Sequence, residues 1–318
     1  MEKVALCTGA TSQDASYLME ILLEKGYKVY GMVRRSASQN LWRIQHILDK
    51  ITLVPGDLTD QTSLDNAIRL TKPTEVYNLA AQSFVQYSFQ SPYSTCDITG
   101  LGVLRLLEAV KNNHPSARIL QASSSEMFGK IQESPQKETT RFYPRSPYGC
   151  AKAFAHQICV NYREAYGMHI SCAIMFNHES PRRGEEFVTR KITKGVAEFK
   201  KSAKQFSLGN LNSSRDWGHA KNYMHGCWLM LQQNKPDDYI LATGETHTVK
   251  EWLEEACKVA SVDYWETFTQ DSVFQRQAEV DYLKGDYSKA EKVLGWKPVM
   301  KFADIVKEMV LSDIGGSE

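Results

Sequence analysis

The sequence lacks any long hydrophobic run. None of its apolar stretches approaches the ~20 residues that a helix needs to cross a bilayer. The N-terminal residues enter a predicted strand directly and do not have the pattern of a signal peptide. We therefore expect a cytoplasmic protein with no membrane partner.

The chain also lacks cysteine spacing of the kind that binds metals or forms a disulfide framework. It has 7 cysteines, an odd number, and none of them form a C-x-x-C motif. We expect reduced thiols, most of them small core residues, and no metal ion. The cysteines are Cys7, Cys96, Cys150, Cys159, Cys172, Cys227 and Cys257.

An excess of charge of one sign is absent as well. The 38 basic and 37 acidic residues leave a net charge of +1. The densest basic run, Lys200, Lys201 and Lys204, has no interleaved aromatic residues and is typical of a solvated helix face. We expect no nucleic-acid partner. With 42% hydrophobic and 24% charged residues, the composition is that of an ordinary globular protein.

Strands and helices alternate over the first 176 residues. Short β-branched runs are followed by longer segments with apolar residues at helical spacing, such as residues 102–113 and 147–166. This alternation predicts an α/β fold with a doubly wound parallel sheet of the Rossmann type. The predicted strands are residues 3–8, 28–33, 51–54, 75–80, 118–122 and 169–175.

The alternation ends after residue 177, where Gly, Asn and Arg become frequent, although residues 238–242 again have the pattern of a strand. We predict a Rossmann-like domain over residues 1–176, to which about 217–243 returns. Residues 177–216 and 244–318 would form a smaller, discontinuous C-terminal substrate lobe. A cleft between two such lobes is a usual place for a ligand.

The turn after the first strand runs from Gly9 to Ala15 in the order Gly-Ala-Thr-Ser-Gln-Asp-Ala. A dinucleotide-binding turn has glycine at the first, fourth and seventh places, and its middle glycine lets the backbone approach the pyrophosphate. Here only Gly9 is present. Ala15 is a tolerated replacement, but Ser12 adds a side chain where we expect crowding. Alone, this turn fits a cofactor loop and a plain strand-to-helix connection equally well.

The neighbouring strand ends favour the cofactor loop. Arg34 and Arg35 end the second strand where an NAD enzyme would place an acidic residue, and guanidinium groups suit a 2′-phosphate. This pattern favours NADP, although two surface charges would look the same. Asp57 and Leu58 follow the third strand and could frame an adenine, while residues 78–83 end the fourth.

The candidate reactive group combines Ser124, at the end of the fifth strand, with Tyr148 and Lys152. The spacing of four residues puts the tyrosine and the lysine on one helix face. A tyrosine loses its proton at a pH of about 10, and we expect the nearby ammonium to lower that pKa. Ser124 can share the substrate proton.

Several longer motifs resemble one known family. They are G-D-L-T-D (56–60), N-L-A-A-Q-S (78–83), Q-A-S-S-S-E-M-F-G (121–129), F-Y-P-R-S-P-Y-G (142–149), N-H-E-S-P-R-R-G (177–184), F-V-T-R-K (187–191), L-G-N-L (208–211), R-D-W-G (215–218) and A-E-V-D (278–281). On these motifs the chain resembles, almost end to end, the GDP-mannose 4,6-dehydratase family of the extended short-chain dehydrogenase/reductase superfamily.

The resemblance implies a reaction and roles for four catalytic residues. Tyr148, assisted by Ser124 and Lys152, would take the proton of the sugar C4 hydroxyl while a hydride passes to NADP⁺. Glu126 would remove the C5 proton and then assist loss of the C6 hydroxyl as water. Return of the hydride to C6 leaves a 4-keto-6-deoxy sugar and regenerates the cofactor.

The resemblance, with the strand-end residues above, also implies two binding sets. Residues expected to bind NADP are Gly9, Ser12, Gln13, Asp14, Arg34, Arg35, Asp57, Leu58, Leu79, Ala80, Ala81, Gln82, Ser83, Lys152, His178 and Arg183. Residues expected to bind the GDP-sugar are Ser83, Ser125, Asn177, Val188, Lys191, Arg215, Arg276 and Glu279. His178 has the alternative of a buried hydrogen-bonding residue. The segment from Arg35 to Arg43 is implied in an oligomer interface, hence a homodimer or homotetramer.

The chain departs from the family pattern at Ser12 and Ala15, at Ser124 in place of a threonine, and at Gln277 and Ala278 in the last motif. GDP-manno-heptose is an alternative substrate. A sugar-nucleotide 4-epimerase, 4-ketosugar reductase or UDP-glucuronate decarboxylase would share part of the site. A non-catalytic sugar-nucleotide-binding subunit is the non-enzyme alternative. The N-H-E-S-P-R-R-G and R-D-W-G motifs favour the dehydratase.

Overall fold

A computed structural model describes residues 2–38, 40–271, 280 and 282–315. In them the strands are β1 (Val4–Thr8), β2 (Lys28–Val33), β3 (Thr52–Pro55), β4 (Glu75–Asn78), β5 (Arg118–Ser124), β6 (Ile170–Met175), β7 (Asn177–Glu179), β8 (Phe206–Leu208), β9 (Ser214–Arg215), β10 (Trp217–His219), β11 (Asp238–Leu241), β12 (His247–Thr248) and β13 (Phe268–Gln270).

The α-helices of the same residues are α1 (Gln13–Glu24), α2 (Gln61–Thr71), α3 (Val85–Gln90), α4 (Pro92–Cys96), α5 (Gly102–Asn113), α6 (Pro147–Tyr166), α7 (Val188–Ser202), α8 (Ala220–Leu231), α9 (Val249–Ala260), α10 (Tyr264–Thr267), α11 (Ser288–Leu294) and α12 (Phe302–Gly315). Short 3-10 turns cover Gln45–Ile47 and Ser125–Met127, and a π-helical turn covers Asp97–Leu101.

Seven parallel strands form the central sheet in the order β3-β2-β1-β4-β5-β6-β11. The predicted doubly wound α/β fold is therefore confirmed, and the strand predicted near residue 240 does rejoin the sheet as β11. From β1 the chain adds β2 and β3 on one side and then β4, β5 and β6 on the other, so the strand order reverses between β1 and β4. In such sheets this switch point opens a crevice at the carboxyl ends of the strands.

Helices cover both faces of the sheet. One apolar cluster joins β1 to α1 and α8, and a second joins the other face to α2, α5 and α6. Burial on both faces explains why every residue of β1, β4 and β6 is buried, with no alternation of buried and exposed positions.

A third apolar cluster lies beyond the sheet, where α7, α9 and α12 pack around Trp217 and Trp252. Small strand pairs, β7 with β10 and β9 with β12, connect this cluster to the carboxyl edge of the sheet. The boundaries that we predict for the two lobes remain a prediction.

Three features of the structure relate to the expected thiols, membrane segments and metal sites. Cys96 and Cys150 are exposed, the other five cysteines are buried, and all are free thiols. No helix in the described part of the chain is long and apolar enough to span a membrane. His156, Cys172 and Asp238 cluster together, but Arg163 already holds both carboxylate oxygens of Asp238 at 2.9 and 3.0 Å.

Candidate active site

The start of α6 places the tyrosine and lysine. Ser146 caps the helix by accepting a hydrogen bond from the backbone N–H of Gly149 at 3.0 Å, and Pro147 occupies its first turn. Tyr148 and Lys152 then lie one turn apart on the buried face, with 8% and 4% of their surfaces exposed. Local sequence alone accounts for this part of the site.

Gly149 lets α6 approach the segment that carries Glu126. A Cβ atom at this position would lie 2.8 Å from the carbonyl oxygen of Glu126, closer than real Cβ atoms come to backbone. The short 3-10 turn Ser125–Met127 therefore sits directly against the first turn of the helix. A side chain on residue 149 would separate the two.

Ser124 connects these groups. Its Oγ accepts a hydrogen bond from the backbone N–H of Glu126 at 3.2 Å, and the same side chain lowers the pKa of Tyr148. Ser124, Glu126, Tyr148 and Lys152 all line one cavity of about 1590 Å³. The structure thus brings the four predicted catalytic residues together.

One electrostatic expectation is wrong. Burial raises the pKa of Tyr148 to about 12; the hydrogen bond from Ser124 opposes this rise and the charge of Glu126 adds to it. The Lys152 ammonium donates to the carbonyl oxygen of Ala122 at 2.6 Å and lies 5.8 Å from the centre of the tyrosine ring. Burial lowers the pKa of Lys152 itself to about 8.

The cofactor turn meets the sheet at the switch point between β1 and β4. Gly9 has a φ of +64°, and a Cβ atom there would lie 3.0 Å from the Cα of Ala80, so only glycine fits. The hydroxyl of Ser12, which we expected to crowd the turn, instead caps α1 by accepting from the N–H of Ala15 at 3.1 Å.

Gln13 and Asp14 tie this turn to the segment that follows β6. Gln13 donates to the carbonyl oxygen of His178 at 3.1 Å and accepts from the hydroxyl of Ser180 at 2.8 Å. His178 Nε2 lies 3.0 Å from the Asp14 carboxylate, and its Nδ1 lies 2.7 Å from the carbonyl oxygen of Phe176. Both ring nitrogens therefore have hydrogen-bonding partners within the protein, as expected for the alternative in which His178 is a buried hydrogen-bonding residue. His178 also lines the cavity, as a cofactor contact would require.

This pair has strongly shifted pKa values. Burial raises the pKa of the Asp14 carboxyl, but the charge and hydrogen bond of His178 outweigh burial and hold it at about 2. Burial lowers the pKa of His178, and the charge and hydrogen bond of Asp14 raise it above its usual value. Each partner therefore favours the charged form of the other.

Two supporting residues were missed or misjudged from the sequence. Glu179, 1% exposed, accepts from the hydroxyl of Thr189 at 2.5 Å and pairs with Arg183 at 3.1 Å; its place in the N-H-E-S-P-R-R-G motif was the available signal. Arg43, expected only in an interface, donates to the carbonyl oxygens of Arg182 and Thr11 at 2.7 and 3.2 Å.

The cavity collects the remaining predicted residues. Every predicted cofactor-binding residue lines it, as do Ser83, Ser125, Asn177, Val188, Lys191 and Arg215 of the predicted substrate set. Arg215 is buried and its guanidinium donates to the carbonyl oxygen of Ser214 at 3.0 Å. Burial lowers the pKa of Lys191. Arg276 and Glu279 lie outside the described residues.

Comparison with known proteins decides the family. Residues 6–309 match the sequence profile of a family described as GDP-mannose 4,6 dehydratase. The chain is 50% identical to GDP-mannose 4,6 dehydratase 1 of Arabidopsis thaliana, over 98% of this chain and 90% of that protein. It is 49% identical to the GDP-mannose 4,6 dehydratase of Cricetulus griseus, over 98% and 91%.

The chain belongs to the GDP-mannose 4,6-dehydratase family. The fold of this family member is similar to that of the UDP-glucose 4-epimerase of Thermus thermophilus, solved with NAD. The TM-score is 0.87 at 22% identity, and the match covers 99% of this chain and 100% of the epimerase. The resemblance drawn from the motifs is therefore confirmed.

Proposed function

We propose that this protein dehydrates GDP-mannose to GDP-4-keto-6-deoxymannose and uses NADP without consuming it. One observation carries the proposal: Glu126 lies in the same cavity as Tyr148 and Lys152. An epimerase or a reductase would need the tyrosine and the lysine but not the glutamate. The names of relatives that are 49% and 50% identical over nearly the whole chain support the same reaction.

The bound nicotinamide would supply the chemistry of accepting a hydride from C4 and returning it to C6. Tyr148 is the group that receives the C4 hydroxyl proton, which requires its phenolate. Burial raises the pKa of Tyr148 and opposes the phenolate, and Ser124 lowers the pKa and favours it. A ketone at C4 acidifies the C5 hydrogen, so the Glu126 carboxylate can remove it. The resulting carboxylic acid gives that proton to the C6 hydroxyl, which leaves as water. After a hydride has been returned to C6, C5 must be protonated, and the proton that Tyr148 took from the C4 hydroxyl balances this step and restores both side chains.

Support for a nicotinamide cofactor comes from the turn at Gly9 and from the epimerase of the same fold that was solved with NAD. The preference for NADP rests on Arg34 and Arg35. Both are exposed at the rim of the cavity after β2, where their guanidinium groups suit a 2′-phosphate.

The substrate proposal rests on the far end of the cavity. Lys191 and Arg215 line it together with Asn177 and Val188, and their positive charges complement a diphosphate. We assign these residues, with Ser83, Ser125, Arg276 and Glu279, to GDP-mannose. We also propose lobe boundaries at residues 176, 217 and 243. The protein is proposed to assemble as a homodimer or homotetramer.

A turnover assay tests the reaction. The protein is incubated with GDP-mannose and a catalytic amount of NADP⁺, and the products are analysed by mass spectrometry. We expect the 4-keto-6-deoxy product without net NADPH. A stoichiometric rise in NADPH would instead indicate a dehydrogenase. Reaction of GDP-manno-heptose alone would identify the other substrate, and tight binding of both sugars without reaction would indicate a non-catalytic subunit.

The substitution Glu126→Gln tests the base. It should lower kcat by at least about 100-fold, while reduced cofactor still forms in a single turnover because oxidation at C4 does not need the carboxylate. Glu185→Gln is the control, because Glu185 lines the same cavity but is exposed and paired with Lys194. Full turnover by the Glu126→Gln variant would contradict the assignment.

A further inference from the structure

The ammonium group of Lys152 shares its acceptor with a second donor. Its Nζ donates to the carbonyl oxygen of Ala122 at 2.6 Å. The side-chain amide of Gln121 donates to the same oxygen at 3.0 Å. Lys152 and Gln121 are 4% and 2% exposed, so water does not compete for these bonds. The two lone pairs of this carbonyl oxygen are thus both used.

Gln121 is the end of a hydrogen-bonded chain that runs across the carboxyl ends of three strands. Its side-chain oxygen accepts from the amide nitrogen of Asn78 at 2.7 Å. The Asn78 oxygen accepts from the hydroxyl of Thr8 at 2.7 Å. The Thr8 hydroxyl in turn accepts from the backbone N–H groups of Leu79 and Ala80 at 3.1 and 3.0 Å.

The direction of this chain is forced by its first member. The Thr8 oxygen has two lone pairs, and the two backbone N–H groups occupy them, so its one proton must go to the Asn78 oxygen. Asn78 therefore turns its NH₂ group to Gln121. Gln121 must then receive with its oxygen and point its own NH₂ group at Ala122. Neither amide is free to flip, because flipping would place two oxygens or two NH₂ groups face to face.

We propose that Gln121 is a positioning residue for Lys152 and acts through the carbonyl group of Ala122. The amide holds the carbonyl in place, and its positive end lies beside the ammonium on the same oxygen. It thereby limits how strongly the carbonyl retains the lysine. The link to catalysis rests on the proposed function; the link to the lysine rests on the geometry alone.

The test compares the same substitution at two glutamines, one on β5 and one at the end of α8. Gln121→Met keeps the length of the side chain but removes the donor to Ala122. Gln232→Met is the matched control, because Gln232 also donates to a buried acceptor, Glu75, but at the amino end of β4. Gln121 is buried and Gln232 is half-buried, and each variant loses an amide that donates to a buried acceptor. The melting temperature of each variant separates a loss of stability from the effect on Lys152.

Competitive acylation, read by mass spectrometry as a function of pH, gives the pKa of Lys152 without requiring activity. We expect Gln121→Met to raise this pKa by about one unit, because the positive amide end leaves the shared carbonyl. Gln121→Glu should raise it further by adding a negative charge. The other charged or titratable groups that face Lys152, namely Asp14 on α1 and Tyr148 and Cys159 on α6, are unchanged in each variant. Gln232→Met should leave the pKa unchanged.

Kinetics of GDP-mannose turnover supply the second measurement. Gln121→Met should lower kcat about tenfold with KM within about twofold of the original, since it misplaces a reactive group without touching the substrate. An unchanged lysine pKa in both Gln121 variants would overturn the proposal, as would a kcat equal to that of Gln232→Met. If the original protein does not turn over GDP-mannose, the proposed function fails. The acylation measurement still decides whether Gln121 positions Lys152.

Discussion

Asp14 and His178 form a buried pair across the cofactor turn, with 3.0 Å between the carboxylate and Nε2. Burying either charge alone would cost free energy, but each compensates the other. Glu179 and Arg183 form a comparable pair at 3.1 Å. At the scale of single residues, these two opposite-sign pairs reduce the cost of placing charge in the polar cavity.

The Asp14 pair predicts a pH-dependent contribution to stability. The pKa of Asp14 is about 2 in the fold against 3.8 as a model value. Its contribution, on the order of 2 kcal/mol, is present above pH 3.8 and lost as pH falls towards 2. The pKa of His178 is raised, so its contribution is present below its usual value and lost as pH rises through the raised one.

Urea unfolding at a series of pH values measures this contribution. Asp14→Asn should lower the free energy of unfolding most between about pH 4 and 6, and the difference from the original protein should shrink below pH 4. Glu254→Gln is the control, since the Lys250–Glu254 pair is half-exposed and such pairs contribute little. A difference that does not vary with pH would contradict the paired assignment.

Arg35 carries a separate prediction about the cofactor. If its guanidinium binds the 2′-phosphate, Arg35→Ala should weaken NADP⁺ binding by about tenfold to 100-fold and leave NAD⁺ binding unchanged. Titration calorimetry with both cofactors measures this. Arg69→Ala, at an exposed position on α2, should change neither affinity. Equal weakening of both cofactors would show that Arg35 does not read the 2′-phosphate.

Helix α6 is the element that assembles the reactive group. Its N-cap at Ser146 defines where the helix begins, and Gly149 allows its first turn to touch the carbonyl group of Glu126. Its other end stops at Gly167, which has a φ of +65°. One helix therefore has a glycine for packing at its reactive end and a glycine for backbone conformation at its distal end.

Alanine at these two glycines should have different effects. Gly149→Ala must push α6 and the Glu126 turn apart, so we expect kcat to fall by about tenfold to 100-fold. Gly167→Ala meets no atom within 4 Å and should cost only about 1 kcal/mol of stability through its positive φ. Paired measurements of kcat and melting temperature check this. Similar kcat values for both variants would show that the contact at Gly149 is not needed.

At the scale of the whole molecule, the cavity lies where the sheet edge meets the cluster of α7, α9 and α12. Residues of β2, β5, β6, α6 and α7 line it, together with the turns that follow β1 and β4. Arg35 and Arg43, the two ends of the segment implied in subunit contacts, line the cavity, and Trp42 beside Arg43 is 50% exposed. Arg43 stacks on this ring at 4.5 Å.

We predict that the protein is a homodimer or homotetramer. Light scattering after size-exclusion chromatography should give two or four times the chain mass of 36.1 kDa. Trp42→Ser should shift this mass downward if the segment forms the interface. Trp265→Ser is the control, because Trp265 is 78% exposed on α10. A mass of one chain at all concentrations would contradict the oligomer.

Local patterns determined much of this protein. Continuous apolar runs and helical spacing predicted the sheet strands to within two residues and both ends of α5 and α6. The spacing of Tyr148 and Lys152 predicted a shared helix face, and the motifs predicted the family. These features depend on residues close together in the chain, so the sequence by itself determines them.

Only the tertiary structure decided the remaining features. The Asp14–His178 pair, the chain from Thr8 to Gln121 and the raised pKa of Tyr148 each depend on segments far apart in sequence. A pKa depends on burial and on every charge nearby, and the direction of an amide depends on all its hydrogen-bonding partners. Neither can be read from spacing along the chain, because both arise only when distant segments meet.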